Sequence, residues 1–171
     1  EEKKIMSVIN DVPVEKGDAF FIETGTVHAI GAGIVLAEIQ QTSDITYRIY
    51  DFDRLDDTGK ERELHTELAI DALNFSDKID TVRNYSSTKN SLNKVVNCKY
   101  FKTNFIPVED TMELDYAATD SFVIFICVEG NATISVEGTT ESINFGETIL
   151  IPAIAKNVII NGNCNLLEVT V

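Results

Sequence analysis

His28 is the residue best placed by its neighbours to bind a metal. It ends a run with the spacing Gly-x5-Glu-x-Gly-x2-His, set by Gly17, Glu23 and Gly25. Neutral imidazole is a common ligand for divalent metals. A lone histidine in apolar surroundings is more often a hydrogen-bonded core residue, but a turn–strand–turn setting of this kind favours a ligand. A second group lies downstream. Alternation over residues 34–41 puts Ile34, Leu36, Glu38 and Gln40 on one strand face. A carboxylate on an apolar face is costly unless paired or bound. Ser43-Asp44 then signals a turn, and the next strand puts Thr46, Arg48, Tyr50 and Phe52 on one face. Arg48 is thereby expected to share a cavity with Glu38. Spacing alone leaves open whether the two form a structural ion pair or a catalytic one. Arg54 is either a phosphate-side cation or a solvated charge. The second histidine, His65, stands at a helix start beside Thr66 and Glu67 and is expected at the surface or as a cap.

These residues must be positioned by a mostly β chain. Strands are expected over 19–23, 34–41, 46–52, 100–107, 122–128, 132–136, 148–152 and 165–171. Gly17, Gly130, Gly138 and Gly162 lie in the turn signals between them. One segment, 64–73, has helical spacing, with Leu64, Leu68, Ala69, Ala72 and Leu73 on one face and Thr66 as its expected cap. Residues 76–93 are polar and read as a linker.

The two β parts resemble each other. Residues 17–28 align without gaps to residues 146–157, each with Gly and an acid at the turn, a hydrophobic strand, and a second turn. His28 then stands opposite Asn157. On that alignment the first part keeps a metal-capable side chain and the second does not.

Composition narrows the function classes. The 171 residues suffice for one ordinary domain or two small β modules, and 44% are hydrophobic, enough for a core. The net charge of −14 argues against nucleic acid as a partner. It also means that a phosphorylated substrate needs a local basic pocket against the general field. No apolar run reaches the roughly 20 residues of a membrane span, so no membrane partner is expected. Cys98, Cys127 and Cys164 show no Cys-x-x-Cys spacing, which suits a reducing cytoplasm. The start at Glu1-Glu2-Lys3-Lys4, without Met, reads as a piece or a processed product.

The spacing from Gly17 to His28 resembles the second motif of cupins. The likeness then becomes more specific. Gly-Thr-Val-His-Ala-Ile-Gly over 25–31, followed by Ala-Glu-Ile-Gln-Gln-Thr-Ser-Asp-Ile-Thr-Tyr-Arg-Ile-Tyr-Asp over 37–51, resembles the signature of type I mannose-6-phosphate isomerases. Glu61-Arg62-Glu63-Leu64-His65 and the helix ending at Ala72-Leu73-Asn74-Phe75 are similar to the stretch that succeeds this signature in the family. Glu23-Thr24 departs from the usual Pro-Ala.

The resemblance implies a mainly β fold of the cupin type, a double-sheet jelly roll. Residues 1–55 would be the C-terminal part of a metal-bearing cupin module, 56–90 a short helix and linker, and 91–171 a second, degenerate module without metal ligands. The implied activity is metal-dependent aldose–ketose isomerisation of mannose 6-phosphate and fructose 6-phosphate, with a hexose 6-phosphate as substrate and zinc as cofactor. His28 would be one metal ligand. The other ligands would lie upstream of this sequence, which would leave the chain alone inactive. Arg48 corresponds to the active-site arginine. Glu38, a candidate proton carrier, and Asp44 fall at positions lining the substrate pocket, and Arg54 falls on the phosphate side. The alternative is a cupin module that binds a sugar or sugar phosphate without catalysis. A cupin oxygenase would want a His-x-His pair, which the sequence lacks.

Overall fold

A computed structural model describes residues 2–75 and 80–171. The first four residues of the expected linker, 76–79, lie outside the described residues. The chain divides into two compact units: Glu1–Ile34 with Thr42–Val82, and Val35–Gln41 with Arg83–Val171.

The second unit is an antiparallel sheet with a core. Its strands are β3 (Asn93–Asn97), β4 (Lys102–Asp115), β5 (Val123–Val136), β6 (Thr139–Asn144), β7 (Thr148–Ile151) and β8 (Asn157–Thr170). They run in the order β3-β4-β8-β5-β6, with β7 also on β5. Alternation builds the core. Ile106, Val108, Met112 and Leu114 of β4 and Val158, Ile160, Cys164 and Leu166 of β8 are buried at every second position or multiples of it. In β5 the inward set changes parity, from Val123, Phe125 and Cys127 to Ala132 and Ile134. A register shift between Cys127 and Glu129 inserts the extra residue, and such a bulge flips all later side chains. It also lets one strand pair with β7 through its first half and β6 through its second.

Two expected turns are therefore absent. Glu129-Gly130-Asn131 and Asn161-Gly162-Asn163 lie inside the long strands β5 and β8. Glycine is needed there for backbone approach. A Cβ on Gly130 would lie 2.3 Å from the Asn163 carbonyl oxygen, and one on Gly162 2.6 Å from that of Asn131. The later part of the expected linker is also tied down. Asn93 is buried; its amide donates to the carbonyls of Thr88, Ser91 and Phe105, and its oxygen accepts from Ser86 Oγ and the Thr88 amide.

The first unit is different. It contains a 3-10 turn (Glu2–Ser7), β1 (Ala19–Phe20) and α1 (Thr66–Ala72). β1 pairs with β2 (Val82–Arg83) in a two-stranded ribbon. Between Phe20 and Thr66 the described residues carry no helix and no strand ladder, only the isolated bridge Leu55↔Glu61. The strands expected over 34–41 and 46–52 are thus not formed, and the one over 19–23 is two residues long. Among the described residues of this unit only Asp51 and Ala69 are buried. Large apolar side chains such as Val27, Ile30, Ile45 and Phe75 stay exposed. A strand needs a ladder partner and a face to bury, and among the described residues neither 46–52, in this unit, nor 35–41, which belongs to the second unit, has a ladder partner. α1 forms within the expected 64–73 but starts at Thr66, so the cap position is His65 and not Thr66.

The aligned turns share their hydrogen bonds at a constant offset of 129 residues. The Asp18 amide donates to the Glu15 carbonyl at 3.1 Å, and the Glu147 amide to the Asn144 carbonyl at 2.9 Å. Asp18 Oδ2 accepts from the Glu15 amide, and Glu147 Oε2 from the Asn144 amide, both at 2.8 Å. Downstream, Thr26 donates to Glu23 at 3.1 Å and Ala155 to Pro152 at 3.0 Å.

Candidate active site

His28 follows the turn at Gly25. That turn is made by a left-handed Gly25 (φ 89°) and held by the Asn74 amide, which donates to the Gly25 carbonyl at 2.9 Å. The imidazole is exposed, and its Nδ1–H donates to the Thr26 carbonyl at 2.8 Å. This bond selects the tautomer with a lone pair on Nε2, which is the arrangement a metal-binding histidine uses. Beside it, the Thr26 hydroxyl oxygen is buried without a hydrogen-bond partner among the described residues. Among those residues no three His, Cys, Asp or Glu side chains gather into a metal-sized group. Structural and catalytic zinc sites need three or four protein donors. The described residues therefore offer one donor and do not fit a complete zinc site.

Arg48 is held from several sides. Its amide donates to His65 Nδ1 at 3.1 Å, and its carbonyl accepts from the His65 amide at 2.7 Å. Its Nη1 donates to the Glu63 carbonyl at 3.1 Å, and its Nε lies 3.8 Å from Asp51 Oδ1. His65 thus has a definite task, which its position at the helix start does not reveal.

Asp51 is the centre of this region. Arg62 grips it with two donors: Nε to Oδ2 at 2.6 Å, and Nη2 to Oδ1. Arg54 Nη2 donates to Oδ1 at 2.8 Å, and Arg54 Nε to the Asp51 carbonyl at 3.2 Å. The hydrogen bonds from Arg62, opposed by burial and assisted by Arg54, hold the Asp51 carboxyl down to about 2. Two local elements bring these arginines together. At 51–54 the chain reverses through Phe52 (φ 56°) and Asp53 (φ 54°), and the Arg54 amide donates to the Asp51 carbonyl at 3.1 Å. Two consecutive left-handed residues define the tight mirror-image turn usually given to Asn and Gly. Arg54 also sits over the Phe52 ring, 5.9 Å from its centroid. Residues 55–61 then form a small hairpin. Asp56 Oδ1 accepts from the Thr58 and Lys60 amides and from Thr58 Oγ1, and the Asp56 amide donates to the Lys60 carbonyl. This hairpin returns the chain so that Arg62 reaches Asp51.

Three arginines thus converge on one buried carboxylate, in a chain with a net charge of −14. Cation outweighs anion in this cluster, as an anion-binding surface requires. Of the residues expected at the site, Arg48 and Arg54 share it. Asp44 is exposed, beside a turn in which the Ile45 amide donates to Ser43 Oγ. Glu38 is exposed on a segment without a strand ladder, so the apolar face expected around it is absent. Asp51 and Arg62 carry no spacing signal of their own. The only hint is an Asp with an Arg three residues later.

The antiparallel sheet of the second unit, with its inward alternation, falls in a cupin domain. Residues 91–171 match the family model described as mannose-6-phosphate isomerase, cupin domain. The chain is 30% identical over 161 residues to a mannose-6-phosphate isomerase of Streptococcus mutans, covering 94% of this chain and 50% of that protein. Over 66 residues it is 52% identical to mannose-6-phosphate isomerase ManA of Bacillus subtilis, covering 39% of this chain and 21% of that one. The crystal structure of the mannose 6-phosphate isomerase from Bacillus subtilis superposes with a TM-score of 0.64 at 29% identity, over 75% of this chain and 41% of that chain. Over nearly its whole length the chain is thus similar to mannose-6-phosphate isomerases, and its residues 91–171 match the family's cupin domain. It spans about half the length of the first curated relatives it matches.

Proposed function

We propose that this chain supplies one wall of a mannose-6-phosphate isomerase site. The reaction moves a proton between C2 and C1 of the sugar phosphate through an enediol, converting mannose 6-phosphate and fructose 6-phosphate into each other. The observation that carries this reading is the guanidinium cluster of Arg48, Arg54 and Arg62 on Asp51. Arg48 stabilises negative charge developing on the sugar oxygens, or holds the phosphate. Arg54 faces the phosphate, its side chain 63% exposed while two of its donors are fixed on Asp51. By family resemblance, Glu38 is the proton carrier and Asp44 a residue of the pocket, both of them exposed within this chain.

His28 is one ligand of a divalent metal, zinc by the same resemblance, with the remaining donors outside this chain. Its free Nε2 and the orphaned Thr26 hydroxyl support that assignment. The exposed apolar side chains of the first unit and its ladderless segments fit strands whose partners lie outside the chain. The matched turns at an offset of 129 residues support residues 91–171 as a second module, with Asn157 where the first has His28. The reducing cytoplasm is the proposed compartment. No helix among the described residues is long and apolar enough to cross a membrane.

Arg48→Ala in the intact enzyme tests the reading. Turnover is expected to fall by about a hundredfold or more, with a melting temperature within a few degrees of wild type. An unchanged turnover number would sink the role. The single metal donor keeps a second reading open, a module that binds sugar phosphate without catalysis. Mannose 6-phosphate binding without isomerisation, measured on the metal-loaded intact protein, would favour it.

A further inference from the structure

We propose that Asp51 is a positioning residue of this site: its carboxylate, locked by Arg62, sets Arg48 and Arg54 in the arrangement that meets the sugar phosphate. The inference rests on the reading of Arg48 and Arg54 given above.

Burial is the first observation. Asp51 is 7% exposed in a unit whose only other buried described residue is Ala69. An ion pair placed there for stability alone is poorly explained, since pairs of this kind gain little over apolar packing. A single arginine would also have sufficed to neutralise the carboxylate. Instead Arg62 takes it in a two-donor grip that fixes the plane of the group. With that plane fixed, Oδ1 becomes a reference point, lying 2.8 Å from Arg54 Nη2 and 3.8 Å from Arg48 Nε.

The backbone supplies a second, independent observation. Phe52 and Asp53 are both left-handed, at φ 56° and 54°, without a glycine. Strain of this kind persists where surrounding structure enforces it, and it gathers at functional sites. Its effect here is local: the turn brings Arg54 back over Asp51, where Nε and Nη2 both find acceptors on that residue. Arg62 arrives from the far side through the hairpin closed by Leu55↔Glu61 and the Asp56 hub. Arg48 is aligned separately, by His65 on its backbone and Glu63 on Nη1. Two strained or looped elements and one aligned arginine therefore end on one carboxylate. Arg62 acts through Asp51, so it too is a positioning residue.

The test compares Arg48→Ala, Asp51→Asn, Arg62→Lys and Arg62→Ala in the intact, isomerase-active protein that carries this sequence. Arg62→Lys keeps the charge and loses the two-donor grip. Among folded molecules, Arg62→Lys is expected to raise the KM for mannose 6-phosphate and lower kcat, reducing kcat/KM about fivefold to tenfold. Arg62→Ala and Asp51→Asn should go further in the same direction. A purely structural role would lower the melting temperature and leave KM unmoved. KM and kcat within about twofold of wild type in folded Arg62→Lys and Arg62→Ala, beside an impaired Arg48→Ala, would overturn the inference even if Asp51→Asn fails to fold. Should Arg48→Ala itself keep full turnover, the reading of the site falls, and the inference with it.

Discussion

At Asp51 the Arg62 hydrogen bonds hold the carboxyl at about 2, against an ordinary value of 3.8. This shift fixes the sign of the linked stability. A carboxyl held lower in the folded state adds stability above its unfolded pKa, and that contribution disappears as pH falls through the folded value. Wild type and Asp51→Asn should thus differ by a constant amount above about pH 4, and the difference should shrink between about pH 4 and 2. Denaturation midpoints across that range check this, and a gap that stays constant down to pH 2 would contradict it. At this residue scale the sequence offers His28, Arg48 and Arg54 as candidates, by spacing and family resemblance. Asp51 and Arg62 are not among them, because they are 11 residues apart and only the hairpin between them makes them neighbours. His65 reads as a cap in the sequence, although its ring accepts from the Arg48 amide.

Among the elements, Gly25 shows how a single residue positions a candidate ligand. A Cβ there would lie 2.4 Å from the Ala72 carbonyl oxygen and 2.9 Å from the Asn74 nitrogen, in a left-handed backbone. Gly25→Ala should cost more than the roughly 1–2 kcal/mol of left-handed strain alone, because backbone at the end of α1 must also move. Urea denaturation should show the loss, and His28 resonances should shift. A variant with wild-type stability and spectrum would show that the turn tolerates a side chain. The other glycines teach a related lesson. Gly130 and Gly162 read as turn residues in the sequence, yet they let β5 and β8 approach closely as continuous strands. Local composition signals special backbone at such positions, but cannot distinguish a reversal from a close approach across a sheet. Similarly, alternation over 34–41 and 46–52 is real, but without a ladder partner these segments form no strand.

Taken whole, the molecule has an uneven distribution of burial. The second unit holds a core with Phe125, Ile106, Ile143, Ile160 and Leu166 fully buried, while the first unit buries only Asp51 and Ala69 among its described residues. The second unit even encloses a carboxylate. Glu168, 2% exposed, accepts from Tyr116 Oη and Asn104 Nδ2, both at 2.6 Å, and burial pushes the Tyr116 phenol upward. Opening free energy tracks buried contacts and ladder bonds. Hydrogen exchange of the isolated chain should therefore be slowest in β4, β5 and β8, and faster by at least about a hundredfold over residues 21–34 and 42–50 of the first unit. Equal protection in both regions would show that the first unit has cohesion beyond its visible packing.

The sequence by itself determined that the chain is mostly β, and the resemblance of residues 17–28, 25–31 and 37–51 to family motifs pointed to an isomerase of the cupin type. It also placed the turns at 15–18 and 144–147 in the same frame, because Gly and a following acid specify that geometry locally. Only tertiary structure decided which charges meet. The convergence of Arg48, Arg54 and Arg62 on Asp51 depends on a strained reversal and a hairpin, whose end points are set by contacts across the chain. It likewise decided where strands stop, since a ladder exists only where a second strand is present to accept its hydrogen bonds.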